Sequence, residues 1–71
     1  MEWIVQDPGV VGGQPRVRGT RLTVAFVLEC LAQGMTAEEI AEDYPGFPPD
    51  SLPAVLHYAA ERLSRAETLA S

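Results

Sequence analysis

The chain has 71 residues and a net charge of −5, with five arginines and no lysine. A chain of this length is one small domain, and its core is marginal because folding buries only ~60% of the surface that the unfolded chain exposes. Such domains are commonly supplemented by disulfides, a metal ion or a partner. A single cysteine, Cys30, excludes internal disulfides, and a single histidine, His57, provides no metal-ligand set. We therefore expect no cofactor, and we expect association with a second copy or a partner.

The sequence contains no export or membrane signal. It has no run of about 18 apolar residues, so we expect no membrane span. The first residues, MEWIVQD, contain neither a basic segment nor a long apolar stretch, so we expect no signal peptide. One unpaired thiol together with no export signal predicts a cytoplasmic location.

Charge is distributed unevenly along the chain. Arg16, Arg18 and Arg21 lie within six residues, whereas residues 29–50 hold six of the ten carboxylates. Bulk charge therefore disfavours non-specific nucleic-acid binding, and contact with DNA would require a local basic face. Arginine binds both phosphate and carboxylate. Three interpretations of this arginine cluster stay open: a solvated loop, a contact with DNA phosphates or the minor groove, or a salt-bridging strand in a dimer.

Residues 1–22 predict short strands joined by tight turns. Residues 2–5 (EWIV), the Val10-Val11 pair and residues 16–18 (RVR) are separated by the turn signals Asp7-Pro8-Gly9 and Gly12-Gly13. A two-stranded hairpin alone is marginal in water. We therefore expect these strands to pair with those of a second chain in a homodimer.

Residues 23–66 predict three helices. The first runs from about Val24 to Gln33, because apolar residues recur at i, i+3, i+4 and i+7. Thr23 is its predicted N-terminal cap, and Gly34 suits its C-terminal end. Cys30 falls close to the apolar stripe of this helix, and we expect its thiol to be buried.

The second helix has a complete start signal at Thr36. The T-x-x-E spacing from Thr36 to Glu39 is that of a capping box. The helix is predicted to end near Asp43 or Tyr44, because Pro45 disfavours helical geometry in the residue before it. The short glycine-containing turn between the first two helices is typical of a helix-turn-helix.

The third helix is predicted to begin at a cap, Asp50 or Ser51, with Pro53 tolerated in its first turn. Residues 67–71 are predicted to fray. The predicted fold is one domain over residues 1–71, mainly α, with a three-helix homeodomain-like helix-turn-helix preceded by short N-terminal strands. For the third helix, the predicted core stripe is Leu52, Val55, Leu56, Ala59 and Leu63. Its predicted outward positions are His57, Tyr58, Glu61, Arg62 and Arg65.

The residue patterns of enzymes are missing from the sequence, so we expect a non-enzymatic protein. It has no glycine-rich phosphate loop followed by lysine, no H-E-x-x-H and no nucleophile elbow. If the chain binds DNA, its third helix is the better reader, because the second carries four carboxylates that repel phosphate. The candidate DNA-binding residues are Arg16, Arg18, Arg21, His57 and Arg62.

Two segments, GGQPRVRGTRLTVAFVLECLAQGMTAEEIAEDYPGF and LPAVLHYAAERL, resemble a family of short bacterial proteins, the domain-of-unknown-function family four-three-three. The resemblance covers about Ile4 to Leu63 and includes R-G-T-R, T-x-E-E-I, Y-P and Y-A-A in order. It implies a homeodomain-like helix-turn-helix after short strands. It also implies a VapB-like antitoxin of a type II toxin–antitoxin pair, which silences a small PIN-like ribonuclease and often represses its own operon by binding operator DNA.

The resemblance also suggests where a toxin would bind. An antitoxin arginine near the C-terminus can occupy the acidic metal site of the ribonuclease, which makes Arg62 and Arg65 the candidate toxin-binding residues. The chain departs from the family at Pro48, where a threonine cap is usual. The alternative hypothesis is a protein-interaction module without DNA binding, which the acidic residues 29–50 favour.

Overall fold

The computed structural model describes the backbone of residues 2–70 and the side chains of residues 2–65. Three helices form most of it, and two short antiparallel strands precede them. The prediction of a mainly helical chain with short N-terminal strands is confirmed. The bounds are β1 Ile4–Val5, β2 Arg16–Val17, α1 Val24–Ala32, α2 Ala37–Asp43 and α3 Leu52–Ala70.

The two strands pair with each other within the chain, with Ile4 opposite Val17. On its far side β2 is bonded to the segment that leads into α1, where the Val17 N–H donates to the Leu22 carbonyl at 2.9 Å. β2 therefore lies in the middle of this small sheet and β1 lies at its edge. The expectation that the strands need a second chain in order to pair is wrong for the β1–β2 ladder.

The predicted strand at Val10-Val11 is also wrong. The Val10 N–H donates to the Asp7 carbonyl at 3.0 Å, and the Gly13 N–H donates to the Val10 carbonyl at 2.9 Å. Residues 11–13 form a 3₁₀ turn, and Val11 itself has a φ of 42°. Two consecutive turns reverse the chain here and leave no extended backbone for a strand.

Side-chain caps fix the starts of α1 and α2, as predicted. The Thr23 hydroxyl accepts from the Phe26 N–H at 3.0 Å. At α2 the capping box is complete, because the Thr36 hydroxyl accepts from the Glu39 N–H and the Glu39 carboxylate accepts from the Thr36 N–H. These bonds satisfy N–H groups that the first turn of a helix cannot pair internally.

One hydrophobic core joins the strands to the helices. Its buried side chains come from β2, from all three helices and from the link before α3. Cys30 is 5% exposed, so its predicted burial is confirmed. No helix among the described residues is both long enough and apolar enough to span a membrane. The buried apolar residues are Val17, Val24, Val27, Cys30, Ile40, Phe47 and Val55.

The predicted core stripe of α3 is partly wrong. Val55 is fully buried, but Leu56 is 46% exposed and Leu63 is 64% exposed. Tyr58, predicted to face outward, packs against the core instead. Each residue turns the helix by about 100°, so once Val55 faces the core, Leu56 and Leu63 fall on its flank.

α3 begins at Leu52, directly after the predicted cap Ser51, but the predicted capping bond and the predicted end of the helix are wrong. Ser51 lies in a 3₁₀ turn, Pro49–Ser51, and is fully buried. Its hydroxyl donates to the Pro48 carbonyl at 2.7 Å instead of accepting from the helix as a cap would. The helical backbone continues to Ala70, past the predicted end at residue 66.

Two substitutions of equal size distinguish the observed core from the predicted one. Ile40 is fully buried, so Ile40→Ala should lower the free energy of unfolding by about 2–5 kcal/mol. Leu63→Ala removes as many carbon atoms from an exposed site and should change it by less than about 0.5 kcal/mol. Urea unfolding followed by circular dichroism measures both, and a comparable loss in the two variants would contradict this core.

Candidate interaction groove beside the third helix

Arg16, the first residue of the arginine cluster, makes contacts within the segment of residues 2–21, which contains β1, β2 and the turns beside them and which we call the hairpin. Its guanidinium forms an ion pair with Asp7 at 2.5 Å and donates to the Thr20 carbonyl at 3.3 Å. The side chain is only 13% exposed, and its Nε is buried without a hydrogen-bond partner among the described residues. Of the three interpretations of the cluster, Arg16 fits a structural salt bridge, here within one chain.

The other two arginines of the cluster are exposed. Arg18 Nε donates to the backbone carbonyl of Glu2 at 2.6 Å, which spans the open end of the hairpin. Arg21 forms no hydrogen bond or ion pair with any residue that the structure describes. Arg18 and Arg21 therefore present guanidinium N–H groups to solvent, whereas the guanidinium of Arg16 is largely buried.

The predicted residues on α3 lie together on one flank of that helix. Arg62 donates to the Tyr58 hydroxyl at 2.6 Å, and its guanidinium carbon lies 5.0 Å from the centre of the Tyr58 ring. His57 and Glu61 pair at 2.6 Å, although both side chains are more than 60% exposed. Arg62 is therefore held in place by its neighbour on the preceding turn.

This flank of α3 faces β1 across an open groove of about 440 Å³, which we call the α3 groove. The structure brings His57, Arg62 and Arg65 together there, as their helical spacing predicted. Trp3 from beside β1 lies there as well, and no sequence pattern predicted it. The groove is lined by Glu2, Trp3, Ile4, Ala54, His57, Tyr58, Glu61, Arg62 and Arg65.

The hairpin arginines do not join this groove. Arg16 and Arg18 line a second hollow of about 550 Å³, which shares Glu2 and Ile4 with the α3 groove. Of the five predicted DNA-binding residues, His57 and Arg62 therefore line the α3 groove, Arg16 and Arg18 line the neighbouring hollow, and Arg21 lines neither of the two.

The side chains that line the α3 groove are suited to binding another molecule through charged and aromatic groups. It combines two guanidinium groups and a histidine with two carboxylates, Glu2 and Glu61, and an aromatic wall. Guanidinium groups bind carboxylate or phosphate oxygens in pairs. Among the described residues, no group of three or more histidine, cysteine, aspartate or glutamate side chains is placed to hold a metal ion.

The ion pair between Arg16 and Asp7 leads to a prediction about stability. Asp7→Asn removes the ionic partner of this largely buried guanidinium, and it should lower the free energy of unfolding by about 1 kcal/mol at low salt. Glu2→Gln is the matched control, because Glu2 contacts Arg18 through its backbone carbonyl. Urea unfolding should show less than about 0.5 kcal/mol for the control, and equal effects would contradict this assignment.

Comparison with known proteins gives one family. Residues 4–59 match the family described as a protein of unknown function, DUF433. A crystal structure of a DUF433 member from Anabaena variabilis is similar, with 32% sequence identity and a TM-score of 0.78. The match covers 96% of this chain and 67% of that one. No curated protein matches the sequence. The chain thus belongs to the DUF433 family.

Proposed function

We propose that this protein is the antitoxin of a type II toxin–antitoxin pair. In this role it is a non-catalytic, cytoplasmic protein that binds a PIN-like ribonuclease and silences it. The observation that carries the proposal is the pair of arginines, Arg62 and Arg65, on one wall of the open α3 groove. The family resemblance supplies the class of partner, and the groove supplies the chemistry that would recognise it.

Arg62 has the properties expected of an inhibitory side chain. Its contacts with the hydroxyl and the ring of Tyr58 restrict its rotamers before any partner binds. A restricted side chain loses less entropy on binding, which favours affinity. Tyr58 uses one of the five N–H groups of the guanidinium, so others are left for the carboxylates of an acidic ribonuclease site.

DNA binding by a homeodomain-like arrangement of the three helices is the second part of the proposal. Exposure of Arg18 and Arg21 on the hairpin supports it. Two features weaken DNA binding. Arg16 is paired with Asp7 and cannot neutralise a phosphate, and the carboxylates of α2 repel phosphates. Two phosphate contacts correspond to a slope of log affinity against log salt of about −2 per chain, so operator binding is expected to be weak for the antitoxin alone.

The antitoxin proposal predicts that a gene beside this one encodes a small PIN-like ribonuclease, and inhibition of that ribonuclease is the test. The double substitution Arg62→Ala, Arg65→Ala should reduce inhibition of its RNA cleavage by at least about tenfold, since charge-assisted bonds to carboxylates are lost. Arg21→Ala removes an exposed arginine that does not line the groove and should leave inhibition unchanged. Full inhibition by the double variant would contradict a role for the groove.

The DNA proposal is tested by gel shift with the DNA upstream of the gene, with and without the ribonuclease. Arg18→Ala, Arg21→Ala should weaken the complex and make the salt slope shallower by about 2 per chain. The same variant should inhibit the ribonuclease normally. Inhibition without any salt-sensitive DNA complex would favour the alternative, a protein-interaction module that does not bind DNA.

A further inference from the structure

The outer edge of β1 carries an unpaired peptide group at Ile4. The Arg18 N–H donates to the Trp3 carbonyl at 2.7 Å, and the Val17 N–H points the other way, to Leu22. Antiparallel pairs alternate between hydrogen-bonded and non-hydrogen-bonded, so Ile4 and Val17 form a non-hydrogen-bonded pair. The N–H and C=O of Ile4 therefore both point away from β2, and no hydrogen bond from elsewhere in the described chain reaches them.

This edge is open. β1 is the last strand on its side of the sheet among the described residues, and the groove of about 440 Å³ runs between residues 2–4 and α3. Natural sheets usually cover or charge an exposed edge, because its unpaired groups are a template for another strand. Here Trp3 and Ile4, both partly exposed, occupy that edge.

We propose that this edge pairs with the same edge of a second copy of the chain. The two β1 strands run antiparallel about a twofold axis, with Ile4 of each chain opposite Ile4 of the other. That pair exchanges two N–H···O=C bonds, which satisfies both outward-facing groups of each Ile4. The product is a four-stranded sheet in the order β2–β1–β1–β2, with no exposed β1 edge.

The sequence around Ile4 is complementary to itself in this register. Trp3 faces Val5 of the second copy, an aromatic–β-branched pair that favours sheet pairing. Glu2 faces Gln6 of the second copy, so no like charges stand opposite each other. A shift of two residues in either direction would place Ile4 opposite Glu2 or Gln6 and break the apolar match on the core side of the sheet.

A second copy also suits the size of the fold. β1 and β2 are only two residues long, and sheets generally need three or more strands for independent stability. The core of a 71-residue chain is small, and association is a common supplement in this size range. A symmetric dimer needs only one self-complementary patch per chain.

Cysteine crosslinking tests the register directly. Trp3 and Val5 of opposite chains would form a non-hydrogen-bonded pair with Cα atoms about 4.5 Å apart, within the range for a disulfide. The variants Trp3→Cys and Val5→Cys are made separately, each with Cys30→Ala, and are then mixed and oxidised. The mixture should give a crosslinked band of about twice 7.7 kDa, whereas neither variant alone should give one.

Trp3→Cys mixed with Gln6→Cys is the off-register control and should not crosslink. Sedimentation of the unmodified chain measures association independently of any substitution, and a dimer is expected at about 100 μM. A monomer at that concentration, or crosslinking of a single variant with itself, would overturn the proposal. Trp3 and Ile4 also line the α3 groove, so a second β1 strand and a ribonuclease would compete for it, and the dimer would have to open before the ribonuclease binds. Neither measurement uses a ribonuclease or DNA, so this test can fail while the antitoxin proposal stands.

Discussion

Burial of Val17 beneath the sheet is the constraint on which the rest of this small structure depends. Val17 is fully buried, and it is the only β2 residue in a core otherwise supplied by helices and one link, within the part of the chain that the structure describes. Strand side chains alternate between faces, so Arg16 and Arg18 must turn away from the core. The same contact therefore anchors the hairpin to the helices and sets the direction of its arginines.

The alternation of side chains along β2 does not by itself determine which partner each arginine contacts. Arg16 meets Asp7 because the tight turns after β1 hold that carboxylate beside β2, whereas Arg18 reaches across to a backbone carbonyl near the N-terminus. Two arginines only two positions apart, Arg16 and Arg18, are therefore not equally available to a ligand. A count of arginines in the sequence overstates the positive charge that a phosphate or a carboxylate would meet.

The helix starts and the overall class could be predicted from sequence because their causes are local. A capping box at Thr36 and a cap at Thr23 depend on residues three positions apart, and both formed as expected. Val11 and Leu63 could not be predicted in the same way. The conformation of Val11 depends on two successive turns, and the exposure of Leu63 depends on how the proline-rich link rotates α3 against the core. The α3 side of the groove could be predicted, because helical spacing places Arg62 and Arg65 on one face. The β1 side could not, because Trp3 is distant in sequence and only the tertiary fold brings it there.

The sheltered thiol of Cys30 constrains how this protein can associate. At 5% exposure the sulfur cannot meet a thiol of another molecule while the chain is folded, and burial keeps it unreactive. An assembly of folded copies of this chain is therefore not held together by a disulfide through Cys30. Its occupancy then follows mass action, so that dilution or degradation of the free chain dissolves the assembly and fresh synthesis restores it.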